Sequence, residues 1–301
     1  MRMPPGLFAA LAMTWAMTWA VTWSTPADAG TVTRQSFPSR ALDRDYVYSI
    51  YLPDGYGERN LRYPVLYLLH GSTGDENSWP VQGKAQQTMD RLIEDGEIPP
   101  MIVVMPSHSE SWWVDGNNEP AGTALMQDLI PHVEATYDTI AARSGRLIGG
   151  LSAGGYGTVN AILEHPGMFA AGAALSPAIY DPVPPATSSA HAHAVFQTEG
   201  TFDPEVWKRL NWPRLIDRYK AGGTVVPLYV NSGDHDGFDI AYHAANFYQR
   251  LREHQPDKVE YRVVDGGHEW PVWERTLPDA VTYMSRFVSR PRGAPAAVMR
   301  Q

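Results

Sequence analysis

The chain contains no cysteine, and its basic residues are fewer than its acidic ones. Without cysteine, this sequence cannot build a disulfide, a cysteine nucleophile or a thiolate metal site. The chain has 24 Lys and Arg against 33 Asp and Glu, which gives a net charge of −9. Binding of nucleic acid needs a basic surface. We therefore expect no nucleic acid among its partners.

A long hydrophobic run is also absent after residue 29, so we expect no membrane span in the mature protein. Residues 1–29 differ: Arg2 precedes an apolar stretch over 7–23, and a small-x-small sequence ends at Ala29. This pattern is typical of a secretory signal peptide cleaved after Ala29. A membrane anchor is the alternative, but threonines interrupt the stretch, and a spanning helix needs about 20 apolar residues. The sequence thus predicts a secreted or periplasmic protein.

The remaining length suits one domain over residues 30–290 better than two small ones. Continuous apolar runs predict buried strands, and alternating runs predict half-exposed strands. Strands are predicted at 45–52, 63–69, 101–105, 147–148, 171–175, 224–231 and 259–264. Helices are predicted at 79–94, 124–137, 156–164, 204–219, 239–252 and 277–288. Strands that alternate with helices imply an α/β fold with a mostly parallel central sheet and helices on both faces.

Three segments fall outside this alternation. Residues 30–44 are interpreted as a leader into the domain, and residues 291–301 as a disordered Pro- and Arg-rich tail. Residues 177–223 have weak periodicity and several prolines, and are interpreted as an insertion or lid over the site, because long connections are usually functional. The pair His191 and His193 in this segment is interpreted as solvated, with a metal pair as the alternative.

Residues 150–154 read G-L-S-A-G and match the G-x-S-x-G pattern of a nucleophile elbow. An apolar run precedes this pattern and helix-compatible sequence follows it, which is the strand–turn–helix context that an elbow requires. An ordinary glycine-rich loop is the alternative. The glycines two residues on either side of Ser152 leave room where Cβ atoms would collide. We interpret Ser152 as a nucleophile at a helix N-terminus, where partial positive charge favours an oxyanion.

A serine hydroxyl needs a base, and the base needs an acid that fixes its tautomer. In hydrolases with such an elbow, the acid and then the histidine follow the serine along the chain. His268 follows the last predicted strand and is the candidate base. Asp236 and Asp234 both follow the strand before it; either could be the acid or cap the next helix. We prefer Asp236. Reading residues 234–236 as a metal cluster is disfavoured, because three consecutive side chains rarely converge on one ion, and no metal or organic cofactor is expected.

The oxyanion hole of such a site needs two main-chain N–H groups. One is predicted to come from Ala153, the residue after the nucleophile. The other is predicted to come from Ser72, with Gly71 as the alternative, in the loop after the strand at 63–69. His70 in this loop is interpreted as structural.

Aromatic residues cluster near these loops, and four are candidates for contact with substrate: Trp112, Trp113, Tyr156 and Trp270. Trp112 and Trp113 follow the strand at 101–105, on the carboxyl side of the sheet where ligands bind. Core packing is the alternative for all of them, and we favour it for Trp79 and Trp273.

The motifs YLLHGSTGDENSW, GGLSAGGYG, SGDHDGF and GGHEWPVWERTLPDAV resemble the esterase D/feruloyl esterase/antigen 85 mycolyltransferase family of α/β hydrolases. The resemblance covers roughly residues 40–290. It implies the α/β-hydrolase fold, Ser152 as nucleophile, His268 as base, and an acid three residues after Gly233, which supports Asp236. The antigen 85 members have Asp-Gly where this chain has His70 and Gly71, and they use a Glu acid.

The resemblance and the motifs together predict an exported serine carboxylesterase that works through an acyl-enzyme. Feruloyl or acetyl esters of polysaccharide, or other small esters, are the expected substrates. An acyltransferase of the antigen 85 type, which moves an acyl group to a sugar or lipid, is the alternative. A non-catalytic binding domain on the same fold is a remote alternative. The signal peptide argues against the role of the cytosolic S-formylglutathione hydrolases of this family.

Overall fold

The computed structural model describes residues 29–108 and 111–293. The predicted signal peptide, apart from Ala29, and residues 294–301 of the predicted tail lie outside the described residues. The described part of the chain contains an eight-stranded sheet. Its strands are β1 (Thr31–Ser39), β2 (Arg44–Leu52), β3 (Val65–Leu69), β4 (Ile102–Pro106), β5 (Arg146–Leu151), β6 (Ala171–Leu175), β7 (Leu228–Gly233) and β8 (Val259–Val264). Across the sheet they lie in the order β1-β2-β4-β3-β5-β6-β7-β8.

Strands β4, β3, β5, β6, β7 and β8 are parallel to one another, and β1 and β2 complete one end of the sheet in antiparallel pairing. The helices are α1 (Ala85–Glu94), α2 (Ala121–Thr123), α3 (Ile130–Thr136), α4 (Ala153–Glu164), α5 (Pro204–Leu210), α6 (Pro213–Ala221), α7 (Ile240–Arg252) and α8 (Trp270–Ser285). Short helical turns lie at Ser78–Gln82, Ala124–Leu129, Arg143–Gly145, Ser189–Ala192 and Ala194–Phe196. Two-residue strands pair Leu61–Arg62 with Arg292–Gly293, and Gln197–Thr198 with Thr201–Phe202. Among the described residues, no helix has the length and apolarity that crossing a bilayer would take.

Both faces of the sheet are buried at its central strands, as the continuous apolar runs predict. Successive side chains of strand β3 pack on opposite faces of the sheet. One face receives Val65, Tyr67 and Leu69, and the other receives Leu66 and Leu68. Helices α3, α4, α6 and α7 cover the first face, and α1 and α8 cover the second. The mostly parallel sheet with helices on both faces is therefore the predicted architecture. It brings the carboxyl ends of β3, β5, β7 and β8 to one edge, where their loops meet.

The segment 30–44, predicted to be a leader, instead contains β1. This strand pairs along its whole length with β2, from Thr31 opposite Leu52 to Ser39 opposite Arg44. Most of its residues are exposed, because it lies at the edge of the sheet. Its sequence therefore lacks the apolar alternation that marks a half-buried strand, and the prediction was wrong.

Prolines shift several helix bounds from those predicted. Helix α8 begins at Trp270 rather than at 277, with Pro271 in its first turn, and it continues through Pro278. A proline is tolerated in the first turn, where its missing N–H has no partner to lose. The helix predicted over 204–219 is two helices, because the chain is extended at Asn211, where φ is −103° and ψ is 156°. The second helix then begins at Pro213, where the missing N–H of a proline has no partner to lose.

The segment 177–223 is packed into the first face of the core. Three side chains donate to its own main chain: Trp207 Nε1 and Asn211 Nδ2 to the carbonyl oxygen of Tyr180, and Trp212 Nε1 to that of Ile179. Both tryptophans are fully buried. The segment is thus anchored over the site by its own aromatic side chains, whereas its role as an insertion or lid stays a prediction.

The elbow between β5 and α4 is packed too tightly for side chains at two positions. A Cβ on Gly154 would lie 2.5 Å from the carbonyl oxygens of Leu69 and His70, and one on Gly150 would lie 2.6 Å from the main chain of Gly154. These contacts join β5, α4 and the end of β3. The main chain there cannot move to make room for a methyl group without separating these elements.

We expect Gly154→Ala to lower the free energy of unfolding by about 2 kcal/mol or more, because its methyl group overpacks main-chain atoms. Urea unfolding of the variant and of wild type measures this. Gly167→Ala is the matched control, since a Cβ at Gly167 meets nothing within 4 Å. Equal stability of the Gly154→Ala variant and wild type would contradict this packing.

Candidate active site

Ser152 lies in the sharp turn between β5 and α4, with a φ of 52° and a ψ of −115°. A positive φ is uncommon for a residue with a side chain and stores strain that the surrounding structure must hold. The Ser152 N–H donates to the carbonyl oxygen of Leu175 at 2.9 Å, and its own carbonyl accepts from the N–H of Tyr156 and of Ala178. These bonds fix the turn, so the hydroxyl stands at the floor of a cavity at the carboxyl edge of the sheet.

His268 joins this hydroxyl to a carboxylate. The Nε2 atom of His268 is 2.8 Å from Ser152 Oγ, and its Nδ1 atom is 2.7 Å from Asp236 Oδ2. An ionised carboxylate only accepts, so Nδ1 carries the proton and Nε2 is left to accept the proton of the serine. The Asp236 side chain has no exposed surface, and its other oxygen accepts from the Phe238 N–H at 3.1 Å.

Asp234 takes a different place. Its Oδ1 atom accepts from the Gly266 N–H at 3.0 Å and lies 2.7 Å from Nδ1 of His235. These contacts hold the loop after β7 to the loop after β8. The structure therefore brings Asp236, and not Asp234, against His268.

The loop after β3 lies beside Ser152. A Cβ on Gly71 would lie 3.4 Å from the Ser152 Cβ, and both Gly71 and Ser72 line the cavity. The other predicted donor, Ala153, is the first residue of α4. The structure thus brings Ser72, Gly71 and Ala153 close to Ser152, and their role as oxyanion donors stays a prediction.

His70 fastens this loop from behind and is buried. Its Nδ1 atom lies 2.6 Å from the Gly71 carbonyl oxygen and its Nε2 atom accepts from the His108 N–H at 3.0 Å, so Nδ1 carries the proton. Burial lowers the pKa of the His70 imidazole to about 4. Burial, assisted by the Arg44 guanidinium and by His70, likewise lowers the pKa of His108 to about 3. Both imidazoles are therefore neutral at neutral pH, and His70 is structural, as expected.

The cavity over Ser152 has a volume of ≈ 660 Å³. One part of its wall is aromatic: Trp112, Tyr180, Phe238, Trp270 and Trp273. Another part carries polar side chains: Ser72, Thr73, Asp75, Ser78, Gln82, Ser188, Ser189 and Glu269. Such a cavity suits a ligand that combines an apolar or aromatic group with a hydroxyl-rich group.

Two of the four aromatic residues predicted to contact substrate line this cavity, namely Trp112 and Trp270. The other two do not, and for them the prediction was wrong. Trp113 is turned behind the loop, where its Nε1 donates to the His70 carbonyl oxygen at 3.1 Å. Tyr156 is fully buried on α4, one turn after Ser152, and its hydroxyl donates to the Leu210 carbonyl oxygen at 2.7 Å. The core-packing alternative applies to both.

Sequence reasoning missed other members of the wall. Tyr180, Ser188 and Ser189 come from the segment 177–223, whose weak periodicity gave no orientation for single side chains. Phe238 packs its ring 5.0 Å from the His268 ring; its place two residues after Asp236 was the available signal. Trp273 was assigned to the core; it is largely buried, but it also reaches the cavity.

Within the described ranges, three side chains could share a metal ion: Asp234, His235 and Asp265, whose ligand atoms lie within 4.8 Å of one another. All three are exposed. The alternative cluster at 234–236 is not formed, since Asp236 is turned to His268.

Comparison with known proteins agrees with this architecture. Residues 39–284 match the Esterase family. An endo-1,4-beta-xylanase/feruloyl esterase of Xylanibacter ruminicola is 38% identical over 162 residues, or 51% of this chain, which spans 22% of that relative's length. An acetyl esterase of Caldicellulosiruptor saccharolyticus is 25% identical over 231 residues, or 74% of this chain and 83% of its own. The solved structure of a ferulic acid esterase matches with a TM-score of 0.75 and 27% identity, over 86% of this chain and 99% of that one.

The strand order and the structural match confirm the predicted α/β-hydrolase fold. Since the family match covers most of the sequence, this chain belongs to the Esterase family, as the resemblance of its motifs predicted.

The buried His70 makes acid stability testable. Its folded pKa of about 4 lies below the ordinary value of 6.5, so the unfolded chain binds more protons between these values and stability falls as the pH decreases through that window. When the pH decreases from 7.5 to 5, we expect the free energy of unfolding of wild type to fall by about 2 kcal/mol more than that of His70→Gln. Urea unfolding at both pH values measures it. Equal losses in His70→Gln and wild type would contradict the buried neutral imidazole.

Proposed function

We propose that this chain is an exported serine carboxylesterase that works through an acyl-enzyme. The observation that carries the proposal is the continuous hydrogen-bonded series from Ser152 through His268 to the enclosed Asp236 at the floor of the cavity. Its membership of the Esterase family supports the same activity. Export is inferred from the sequence of residues 1–29.

In the first half-reaction, His268 Nε2 takes the proton of Ser152 as Oγ attacks the ester carbonyl carbon. The carbonyl oxygen becomes an oxyanion, which the N–H groups of Ala153 and Ser72 stabilise by hydrogen bonds. The tetrahedral intermediate collapses, the protonated His268 gives its proton to the leaving alcohol, and an ester of Ser152 remains. Asp236 holds the imidazole in orientation and stabilises its positive charge during these steps.

In the second half-reaction, His268 takes a proton from water as the water oxygen attacks the acyl-enzyme. A second oxyanion forms at the same donors, and its collapse releases the carboxylic acid and returns the proton to Ser152. General-base assistance of this kind contributes about 10²- to 10⁴-fold to the rate. In these steps the protein contributes the side chains of Ser152, His268 and Asp236 and two main-chain N–H groups.

The wall of the cavity favours esters of aromatic acids attached to a polar alcohol. Trp112, Phe238 and Trp270 offer flat apolar surface for an aromatic acyl group. Ser188, Ser189 and the other polar side chains offer hydrogen bonds to hydroxyl groups of the alcohol. The name of one relative, a xylanase/feruloyl esterase, agrees with an aromatic acyl group. Another relative is an acetyl esterase, so acetyl esters also belong among the substrates to be tested.

A panel of esters tests the activity and the acyl preference together. We expect hydrolysis of p-nitrophenyl acetate and of methyl ferulate, with the aromatic ester preferred in kcat/KM over p-nitrophenyl esters of long aliphatic acids. Ser152→Ala should lower kcat on the order of 10⁶-fold and abolish labelling by a fluorophosphonate. Product analysis with trehalose or glycerol present separates hydrolysis from acyl transfer. A Ser152→Ala variant that hydrolyses p-nitrophenyl acetate at the wild-type rate would sink the proposal.

The two neighbouring aspartates provide a matched pair of variants. We expect Asp236→Asn to lower kcat on the order of 10⁴-fold, because an amide does not hold the required tautomer of the histidine. Asp234→Asn should leave kcat within about threefold of wild type, since its remaining oxygen still accepts from Gly266. Steady-state kinetics with p-nitrophenyl acetate measures both. The assignment of the acid fails if Asp234→Asn is the more damaging change.

A further inference from the structure

One histidine of the segment 177–223 contacts the loop after β3, which contains His70, Gly71 and Ser72 and is called the oxyanion loop. His193 Nε2 lies 2.6 Å from the Oγ of Ser72, across 121 positions of the sequence. This is a short contact for a neutral hydroxyl and an imidazole nitrogen. His193 is buried, with 8% of its surface exposed, whereas Ser72 lines the cavity.

The surroundings of His193 hold its ring in place. It lies between the helical turns Ser189–Ala192 and Ala194–Phe196, and the following Val195 and Phe196 are fully buried. The ring of Trp112 lies 6.0 Å from that of His193, edge to face. A buried, packed partner loses little side-chain entropy when it forms a hydrogen bond.

His191, two residues earlier, has no such contact with the loop. Its ring packs 4.1 Å from that of Phe202, and its Nε2 lies 3.3 Å from the Pro184 carbonyl oxygen. The two histidines therefore share a segment and a residue type but differ in their contact with Ser72. His191 is a natural control for His193.

The main chain of the oxyanion loop is held on the His70 side, where the Gly71 carbonyl accepts from His70 and from the Gly74 N–H. The Ser72 side chain is held from the other side, by His193. Because Gly71 approaches the nucleophile closely, small rotations of this loop redirect the Ser72 N–H. Misplacement of a reacting group by about 1 Å can cost on the order of 10²-fold in rate.

We infer that His193 is a positioning residue for the oxyanion hole: its hydrogen bond to the Ser72 hydroxyl fixes the Ser72 main-chain N–H toward the reacting carbonyl oxygen. The inference rests on the proposed function. It gives the segment 177–223 a part in the chemistry as well as in the wall of the cavity. His193 acts through Ser72 and is not among the residues that line the cavity.

The test compares steady-state kinetics of His193→Ala, Ser72→Ala and the double variant on p-nitrophenyl acetate. We expect each single variant to lower kcat about 10- to 100-fold with KM within about threefold, because the donor acts on the transition state more than on bound ester. The double variant should lose no more than the worse single variant, since both remove the same bond. His193→Gln should recover part of kcat, because its amide can still meet the hydroxyl.

The control His191→Ala should keep wild-type kcat and KM, and thermal unfolding should show that every variant is folded. Wild-type kcat in a folded His193→Ala variant would overturn the inference, as would additive losses in the double variant. These results are separable from failure of the proposed function, which would show as an absence of Ser152-dependent hydrolysis in the wild-type protein itself.

Discussion

The hydrogen bond between Ser152 and His268 joins residues that are 116 positions apart in the sequence. It can form only because the fold brings the turn after β5 and the loop after β8 together. Ser152 must sit in a turn with a positive φ, which glycines at 150 and 154 permit by letting β5, α4 and the end of β3 approach. His268 must come from the loop after β8. Parallel strands satisfy both demands, because their carboxyl ends meet at one edge of the sheet.

In the loop that faces this bond, burial, more than charge, sets the protonation state of the histidine. His70 is neutral because it is buried, and a neutral imidazole can donate at one nitrogen and accept at the other. It therefore spans the Gly71 carbonyl and the His108 N–H and holds the loop from inside. On the other side, Ser72 meets His193. The loop after β3 is thus held between two imidazoles that come from different parts of the chain.

The sequence predicted those features that depend on the order of the motifs along the chain and on apolar runs. Two-sided burial makes a strand such as β3 continuous and apolar, and chain order points to His268 after the last strand. It could not choose between Asp234 and Asp236 from the residues alone, because two positions of the same loop differ only in the direction of their side chains. It missed β1, since an exposed edge strand has no apolar face. His193 looked solvated in an Ala- and Ser-rich segment, because its contact with Ser72 is entirely tertiary.

The anchoring of the segment 177–223 affects how the molecule unfolds. Phe196, Trp207 and Trp212 are fully buried and belong to the same hydrophobic core as α4 and the sheet. A region opens independently only when few buried contacts tie it to the rest. The wall of the cavity and the scaffold of Ser152 therefore form one cooperative unit, in which the shape of the cavity survives until the whole domain melts.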